Sequence, residues 1–509
     1  MDQLHSQACI FQILTILIRR QPAFLADGAA EKPPDACMAA FCRTGNSGPP
    51  ALSLPGSKPL DNLLNLQYIY SIRIRNVPSL HMRIPVPAQT GACCAIRVGS
   101  ASFIFKGGIP LISELYKSML SGKSVIRELN EYANDVSAEL GPENIFDFSL
   151  GNPSVPVPQA FNDRVIELLN AQSSMAVHGY SPSLGIPSVR EKIAASLRRR
   201  FGLPYTADDI FMTSGAAGAL AHAFRLVTSP GDTILTFAPF FPEYRPYVNL
   251  SSGAQLRVVP ARTSDFQINF DALEEMLTAD VQAVLVNTPN NPSGAVYSAQ
   301  TLRQLADILT AKEKQFGHEI WLISDEPYRE IVFDGGETPY VSCFYPRTIS
   351  CYSYSKSLSL PGERIGYVAV NPHSGVSGLL VNMCGQISRG IGHNCPSSVI
   401  QLAVADVCDL TADLSVYETN MNILYDGLTK LGFEIVRPGG TFYMFPKAPE
   451  ADATAFSKKA LKYGLVLVPS DSFGVPGYFR IAYCTDTQKV VRSLDAFGRL
   501  VREEYGGSL

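Results

Sequence analysis

The chain has 509 residues, of which 46% are hydrophobic and 17% are charged, and its formal net charge is −4. A chain of this length exceeds the size of a single hydrophobic core, so we expect two or more domains. The near balance of charges and the lack of a basic run argue against nucleic acid or an anionic membrane surface as a partner.

The eleven cysteines form no Cys-x-x-Cys pair and show no metal-ligand spacing. This usage predicts free thiols in a reducing, cytoplasmic setting, with no metal site. The early apolar run at 9–18 is ten residues long, which is too short for a membrane-spanning helix. We therefore expect neither a membrane anchor nor secretion.

Residues 1–107 differ in character from the rest of the chain. They carry ten Lys or Arg against five Asp or Glu, and they show no sustained helical or strand period. We expect a non-catalytic N-terminal extension that is either disordered or lies upstream of the true start, because Met119 lies close to where the regular pattern begins.

From about residue 210 to 370, short apolar runs alternate with helical stretches. The runs are DTILTFAP, VQAVLVNTP, EIWLISDEP, TISCYSYS and RIGYVAV. Their nearly continuous apolar character is typical of strands buried on both faces, so we predict an α/β fold with a mostly parallel sheet flanked by helices.

The remaining segments complete the predicted α/β architecture. A helical region at about 397–431 leads into FEIVRPGGTFYMFP and YFRIAY, which are typical of a smaller α+β domain. The predicted boundaries are 108–150 for an arm that is part of the small domain, 151–400 for the large domain and 401–509 for the small C-terminal domain.

Polar residues follow several of the predicted strands, at the edge where such sheets bind ligands. Asn291 comes after VQAVLVNTP, and Asp325 and Tyr328 come after EIWLIS. Each has an ordinary explanation, because Asn is a turn residue and Asp caps helices. A buried carboxylate, however, requires a partner, and a protonated ring nitrogen would serve.

Lys356 and Arg364 follow the run TISCY, and the small-residue segment 214–220 follows DDIFMT. Alone, the lysine and arginine could be solvated surface groups, and the small residues could reflect tight packing. Together, a lysine, a phosphate-binding arginine and a helix start with free N–H groups indicate a pyridoxal phosphate (PLP) site.

In this order the motifs resemble those of the class I/II aminotransferases, which are PLP enzymes of fold type I. The resemblance implies a seven-stranded type of sheet in the large domain. The resemblance covers about residues 145–485 and rests on Gly151-Asn152-Pro153, Gly179-Tyr180-Ser181-Pro182, Ser214-Gly215-Ala216, Asn291-Pro292-Ser293-Gly294, Asp325-x-x-Tyr328, Ser353-x-Ser355-Lys356 with Arg364, and Arg480-Ile481-Ala482.

The resemblance implies a role for each matching residue. Lys356 would hold PLP as an internal aldimine and then move the substrate proton, while Asp325 would keep the pyridine nitrogen protonated. Tyr328 and Asn291 would hydrogen-bond the 3′ oxygen of the ring. Arg480, with Asn291 and the Gly151 backbone, would bind the substrate carboxylate.

The remaining implied contacts concern the phosphate and the ring. The cofactor phosphate would be held by Arg364, Ser353, Ser355 and the segment Gly215, Ala216 and Ala217. Phe241 would stack on the ring, with Phe240 as the alternative. Tyr180 would reach the phosphate of a neighbouring subunit, which implies a homodimer with shared sites.

Two features depart from the family pattern or leave it incomplete. Many relatives carry a side-chain donor where this chain has Ala217. No motif identifies a residue that reads the substrate side chain.

The leading functional hypothesis is transfer of an amino group between an L-amino acid and a 2-oxo acid through pyridoxamine phosphate. A C–S β-lyase or a decarboxylase would use the same cofactor residues and stays open as an alternative. A third alternative is a regulator whose aminotransferase-like domain senses a ligand while residues 1–107 bind DNA.

Overall fold

The computed structural model describes residues 125–507 and 509, and before them only the segments 70–72, 82–84, 94–98, 101–105, 113, 116–117 and 119. Contacts divide the chain into Met1–Ser113 and Glu114–Leu509. In the first unit, strand β1 (Tyr70–Ile72) pairs antiparallel with β2 (Met82–Ile84), and β3 (Cys94–Val98) with β4 (Ala101–Phe105). Most of the extension predicted at 1–107 lies outside the described residues, so its character stays a prediction.

The second unit alternates strands and helices. Its strands are β5 (Phe146–Asp147), β6 (Ile210–Thr213), β7 (Thr233–Phe237), β8 (Gln255–Val259), β9 (Val281–Asn287), β10 (Trp321–Asp325), β11 (Thr348–Ser353), β12 (Gly366–Val370), β13 (Tyr443–Met444), β14 (Leu465–Val466), β15 (Val468–Pro469) and β16 (Phe479–Ala482).

The α-helices of this unit are α1 (Val125–Leu140), α2 (Gln159–Ala171), α3 (Ser174–His178), α4 (Pro187–Phe201), α5 (Gly215–Val227), α6 (Tyr244–Ser252), α7 (Phe270–Met276), α8 (Ala299–Phe316), α9 (Tyr354–Ser357), α10 (Ser377–Ile391), α11 (Ser398–Val407), α12 (Ser415–Lys430), α13 (Ala453–Leu461) and α14 (Thr487–Tyr505). Short 3-10 turns lie at Pro142–Asn144, Ala207–Asp209, Val341–Cys343, Pro372–Ser374 and Asp471–Phe473.

A seven-stranded sheet forms the centre of the unit, in the order β6-β12-β11-β10-β9-β7-β8. Strand β12 runs antiparallel to both of its neighbours, and the other pairs are parallel. Successive side chains of β10 point to opposite faces, since Leu322 packs into one apolar cluster and Ile323 into another. The predicted α/β fold with a mostly parallel sheet is confirmed.

Helix α8 shows how local sequence sets the flanking layers. The Ser298 side chain accepts a hydrogen bond from the Thr301 amide at the start of the helix, and Gly317 ends it in a left-handed conformation at φ 75°. The face turned toward the sheet buries residues at three- and four-residue spacing, namely Leu302, Leu305 and Leu309.

A smaller assembly follows the large sheet. It contains the three-stranded sheet β13-β16-β15 and the parallel pair of β5 with β14. One apolar cluster joins Phe146 and Phe148 to residues between 412 and 501, including Tyr417 and Phe456. The boundaries predicted at 108–150, 151–400 and 401–509 stay a prediction, because the contacts divide the chain only at Ser113.

The helical region predicted at about 397–431 is two helices, α11 and α12, separated by residues 408–414. Within this break, the Ala412 amide donates to the carbonyl of Ser357 at 2.7 Å. A tertiary hydrogen bond thus replaces a helical one, which periodicity cannot predict. Among the described residues, no helix is long and apolar enough to cross a membrane.

Candidate active site

A cavity of about 310 Å³ opens at the carboxyl ends of β9, β10 and β11. It is lined by most of the residues that the sequence singled out: Gly151, Ala216, Ala217, Phe241, Asn291, Asp325, Tyr328, Ser353, Ser355, Lys356, Arg364 and Arg480. The parallel sheet brings these distant positions together because its strands end at one edge.

Two of the predicted site residues do not line this cavity. The Tyr180 side chain is fully exposed to solvent. Gly215 begins α5 with φ 75°, and a Cβ atom there would lie 2.8 Å from Nη2 of Arg364. Gly215 therefore allows the arginine to approach the helix start, and it supplies no side chain to the cavity.

Asp325 is the last residue of β10 and is only 5% exposed. Tyr244 donates a hydrogen bond to its Oδ2 atom at 2.5 Å, while Oδ1 has no hydrogen-bond partner among the described residues. Burial raises the pKa of the Asp325 carboxyl to about 7, the Tyr244 hydrogen bond opposes that rise, and Glu326 adds to it. The free oxygen is suited to a cationic donor.

Lys356 lies in the short helix α9, directly after β11. Ser353 caps this helix, since its hydroxyl accepts from the Ser355 amide at 3.1 Å. The Lys356 ammonium donates to the Gly151 carbonyl at 2.8 Å. Burial lowers the pKa of Lys356 to about 8, with a smaller lowering contribution from Arg364. A neutral amine, which is a nucleophile, is therefore accessible near neutral pH.

Donor groups for an anion meet at the start of α5. Arg364 is exposed and has a left-handed backbone at φ 50°. Its Nη1 atom donates to the Pro361 carbonyl at 2.9 Å, and no carboxylate among the described residues pairs with it. The hydroxyls of Ser353 and Ser355 lie 2.7 Å apart beside it in the cavity lining. A guanidinium, hydroxyls and a helix start together fit a phosphate.

Arg480 and Asn291 form a second polar cluster in the cavity. Arg480 is 1% exposed and donates to the Asn291 side-chain oxygen at 3.1 Å and to the Ser149 carbonyl at 2.5 Å. Its Nε atom is buried with no hydrogen-bond partner in the described part of the chain. The guanidinium lies 4.5 Å from the centre of the Tyr443 ring. A buried guanidinium that has a free N–H and no carboxylate partner among the described residues is suited to bind a carboxylate.

Aromatic residues complete the walls. The Tyr328 and Tyr443 hydroxyls are 3.2 Å apart, and burial raises the pKa of Tyr328, which keeps its phenol neutral. Phe241 lines the cavity, whereas Phe240 is buried in the core with Arg245 over its ring. The position of Phe241, rather than Phe240, is therefore the one open to a ligand ring.

Sequence reasoning missed several residues of the site. Asn287, the last residue of β9, donates to the Asp325 carbonyl at 2.9 Å and accepts from the Asn291 amide at 2.7 Å. Its position at a strand end could have identified it. Tyr244 and Tyr443 do not directly follow a strand that the sequence predicts, so their positions in the sequence did not identify them. The other lining residues not predicted are Ile126, Arg127, Leu150, Leu220, Glu243, Tyr247, Pro327 and Pro361.

We predict that Lys356 is more reactive toward acylating reagents near pH 8 than an exposed lysine, whose ordinary pKa is about 10.4. The reason is that burial lowers its pKa to about 8, so that half of the amine is neutral there. Competitive acetylation of the apoprotein from pH 6 to 11, followed by peptide mass spectrometry, measures this. Labelling of Lys356 that rises in parallel with the exposed lysines would contradict the prediction.

The chain matches the family described as aminotransferase class I and II over residues 143–497. It is 27% identical over 391 residues to the aspartate aminotransferase of Geobacillus stearothermophilus, covering 73% of this chain and 95% of that protein. It is 28% identical over 399 residues to aromatic-amino-acid aminotransferase 2 of Thermococcus litoralis, covering 75% of this chain and 96% of that protein.

A solved amino transferase from Eubacterium rectale superposes with a TM-score of 0.76 and 44% identity, covering 78% of this chain and 100% of that structure. Enzymes of this family depend on PLP, and the cavity fits it: Asp325 offers an unpartnered oxygen, Arg364 and the start of α5 offer anion donors, and Lys356 offers an amine. The chain therefore belongs to the class I and II aminotransferase family and is a PLP-dependent enzyme that transfers an amino group between an amino acid and a 2-oxo acid.

Proposed function

We propose that the cavity at the carboxyl ends of β9, β10 and β11 is the aminotransferase site, with Lys356 as the residue that holds PLP. The observation that carries this proposal is the set of ionisable groups without an oppositely charged partner. Asp325, Lys356 and Arg480 share one cavity, and none of them forms an ion pair with a described residue. Buried ionisable groups without a partner are typical of functional sites, and they favour a ligand that carries the complementary charges.

PLP, when bound, supplies a carbonyl carbon that takes up the substrate amine and a pyridinium ring that withdraws electrons from the substrate α-carbon. Lys356 takes the proton from that α-carbon, a task for which its lowered pKa is suited. The Asp325 oxygen that lacks a partner would accept a hydrogen bond from the ring nitrogen and keep it cationic.

Other residues of the cavity hold and orient the reactants. Arg364, Ser353, Ser355 and the amides of Ala216 and Ala217 would hold the phosphate, and Phe241 would pack against the ring. Tyr328 and Asn291 donate to the ring oxygen. Arg480 binds the substrate α-carboxylate, while Asn291 and the Gly151 backbone fix its position. The assignment rests on the chemistry of each donor and its place in one cavity.

For the substrates, we propose an L-amino acid as the donor and a 2-oxo acid as the acceptor. The relatives named above act, by name, on aspartate and on aromatic amino acids. These two classes therefore come first in a substrate panel. The relatives give no support to the β-lyase or decarboxylase alternatives.

We propose further that the enzyme is a homodimer with shared sites. Tyr180 is fully exposed, and Met175 nearby in the sequence is 79% exposed. Large apolar side chains in this state favour burial against another surface. In a second copy of the chain, Tyr180 would supply a phenol to the neighbouring phosphate, where the chain's own Ala217 has no side-chain donor.

We also propose that the enzyme acts in the cytoplasm. Six cysteines are free thiols, which supports a reducing compartment; they are Cys343, Cys351, Cys384, Cys395, Cys408 and Cys484. Fractionation of the producing cells, with antibody detection of the full chain, tests this. Recovery of the chain in a secreted or membrane fraction would contradict it.

We predict that Lys356→Ala removes covalent PLP and lowers the rate of amino transfer by about 100-fold or more, because the proton-transfer group is lost. Borohydride reduction, digestion and mass spectrometry should find the cofactor on the Lys356 peptide of the unaltered enzyme. Lys430→Ala, at an exposed helix position, is the matched control. Cofactor on another lysine would refute the assignment of Lys356. Formation of pyruvate and ammonia from cysteine, with no pyridoxamine phosphate formed, would refute amino transfer.

We predict that mixed dimers of Tyr180→Phe and Lys356→Ala chains regain activity at limiting PLP. In a shared-site dimer, one of the two sites then has both native residues, and random assortment gives about a quarter of the native sites. Mixing Asp325→Asn with Lys356→Ala is the control, since both residues line the same protomer's cavity and no native site results. Equal activity of the two mixtures would argue against shared sites.

A further inference from the structure

Tyr244 is a buried tyrosine whose hydroxyl contacts the carboxylate at the base of the cavity. It is the first residue of α6 and is 1% exposed. Its hydroxyl donates to Oδ2 of Asp325 at 2.5 Å. The two residues are 81 positions apart, and Tyr244 itself does not line the cavity. It therefore reaches a ligand only through residues that it contacts, namely Asp325 by a hydrogen bond and Phe241, whose ring centre lies 5.7 Å from that of Tyr244. Replacing Tyr244 by phenylalanine keeps the ring beside Phe241 and removes only the hydroxyl.

The two oxygens of the Asp325 carboxylate differ in their hydrogen bonding. Oδ2 accepts the Tyr244 hydrogen bond, and Oδ1 is buried without a partner among the described residues. The main chain is held separately, since Asn287 donates to the Asp325 carbonyl at 2.9 Å. The Tyr244 phenol is thus the group that fixes the orientation of the carboxylate within the described structure.

We propose that Tyr244 is a positioning residue that keeps the proton shared by Asp325 and the PLP ring nitrogen on the nitrogen. This inference rests on the proposed role of Asp325 as the partner of that nitrogen. By occupying Oδ2, the phenol leaves only Oδ1 for the ring. By donating a hydrogen bond, it makes the carboxylate a weaker base than a buried carboxylate alone would be.

The competing arrangement differs by the position of one proton. If the proton leaves the ring nitrogen and binds Oδ1, a neutral pyridine faces a neutral carboxylic acid, and the ring withdraws electrons less strongly. Burial favours this neutral pair, because it raises the pKa of Asp325 to about 7, and the Tyr244 hydrogen bond opposes it. Loss of that hydrogen bond would therefore shift the shared proton from the ring nitrogen toward Asp325.

Other titratable groups also face Asp325. They are Tyr247 from α6, Cys351 from β11, and Glu326 and Tyr328 from the segment that follows Asp325. Burial raises the pKa of each of these groups. None of the four donates a hydrogen bond to the Asp325 carboxylate in the described structure, whereas Tyr244 does.

The first test uses the holoenzyme loaded with PLP that is labelled with ¹⁵N in the ring. We expect the nitrogen resonance of the unaltered enzyme to lie at the protonated limit, and Tyr244→Phe to move it toward the unprotonated value at the same pH. Tyr345→Phe is the matched control, since it removes a buried hydroxyl that donates to the Ile320 carbonyl away from the site. An unchanged resonance in folded Tyr244→Phe overturns the inference.

The second test uses the apoprotein with ¹³C-labelled aspartate, with the Asp325 signal assigned from Asp325→Asn. Tyr244→Phe should raise the carboxyl pKa of Asp325 by about one unit or more, because a hydrogen bond to a charged group is lost. Replacing Tyr244 by 3-fluorotyrosine keeps the ring and its packing but strengthens the donor, so the pKa should fall. An unchanged pKa in the fluorotyrosine protein overturns the inference even if Tyr244→Phe does not fold.

These outcomes are separable from failure of the proposed function. If the cofactor of the unaltered enzyme is not on the Lys356 peptide, the proposed site is wrong. If it is on that peptide, and Asp325→Asn moves the ring resonance while Tyr244→Phe leaves it unchanged, only the role of Tyr244 is wrong.

Discussion

Asp325, Lys356 and Arg480 bring three ionisable groups into one cavity, and none has an oppositely charged partner among the described residues. Burial shifts the pKa of each toward its neutral form, upward for the carboxyl and downward for the amine and the guanidinium. An arrangement of this kind destabilises the empty protein. A ligand with a cationic nitrogen, a carbonyl and carboxylates reverses that cost, which explains why the site fits PLP together with an amino acid.

The fold makes this arrangement possible because parallel strands end at one edge of the sheet. Asn287, Asp325 and Ser353 are each the last residue of a neighbouring strand, so their side chains meet although they are far apart in the chain. The approach of Arg364 to the start of α5 requires glycine at 215. The smaller assembly adds Tyr443 from β13 and Arg480 from β16 to the lining of the cavity.

The sequence predicted those residues of the cavity lining that follow a recognisable strand or motif, such as Asp325, Asn291 and Lys356. It could not predict Tyr244 or Tyr443, since their roles come from contacts over 81 and 115 positions rather than from local pattern. The break between α11 and α12 was missed for the same reason, because the hydrogen bond of Ala412 goes to a distant carbonyl. The architecture of the sheet was predictable because burial on both faces leaves continuous apolar runs.

The most direct test of the unpaired-charge account is thermal unfolding of Asp325→Asn at pH 8, with and without PLP. The carboxyl has a raised pKa in the folded protein, so its charge disfavours folding above the ordinary aspartate pKa, and a neutral amide removes that cost. We predict that the unfolding midpoint of the apoprotein variant lies about 2 °C or more above that of the unaltered apoprotein. We also predict that PLP raises the midpoint of the variant less than it raises the midpoint of the unaltered protein. A lower apoprotein midpoint, together with an unchanged increase on adding PLP, would contradict the account.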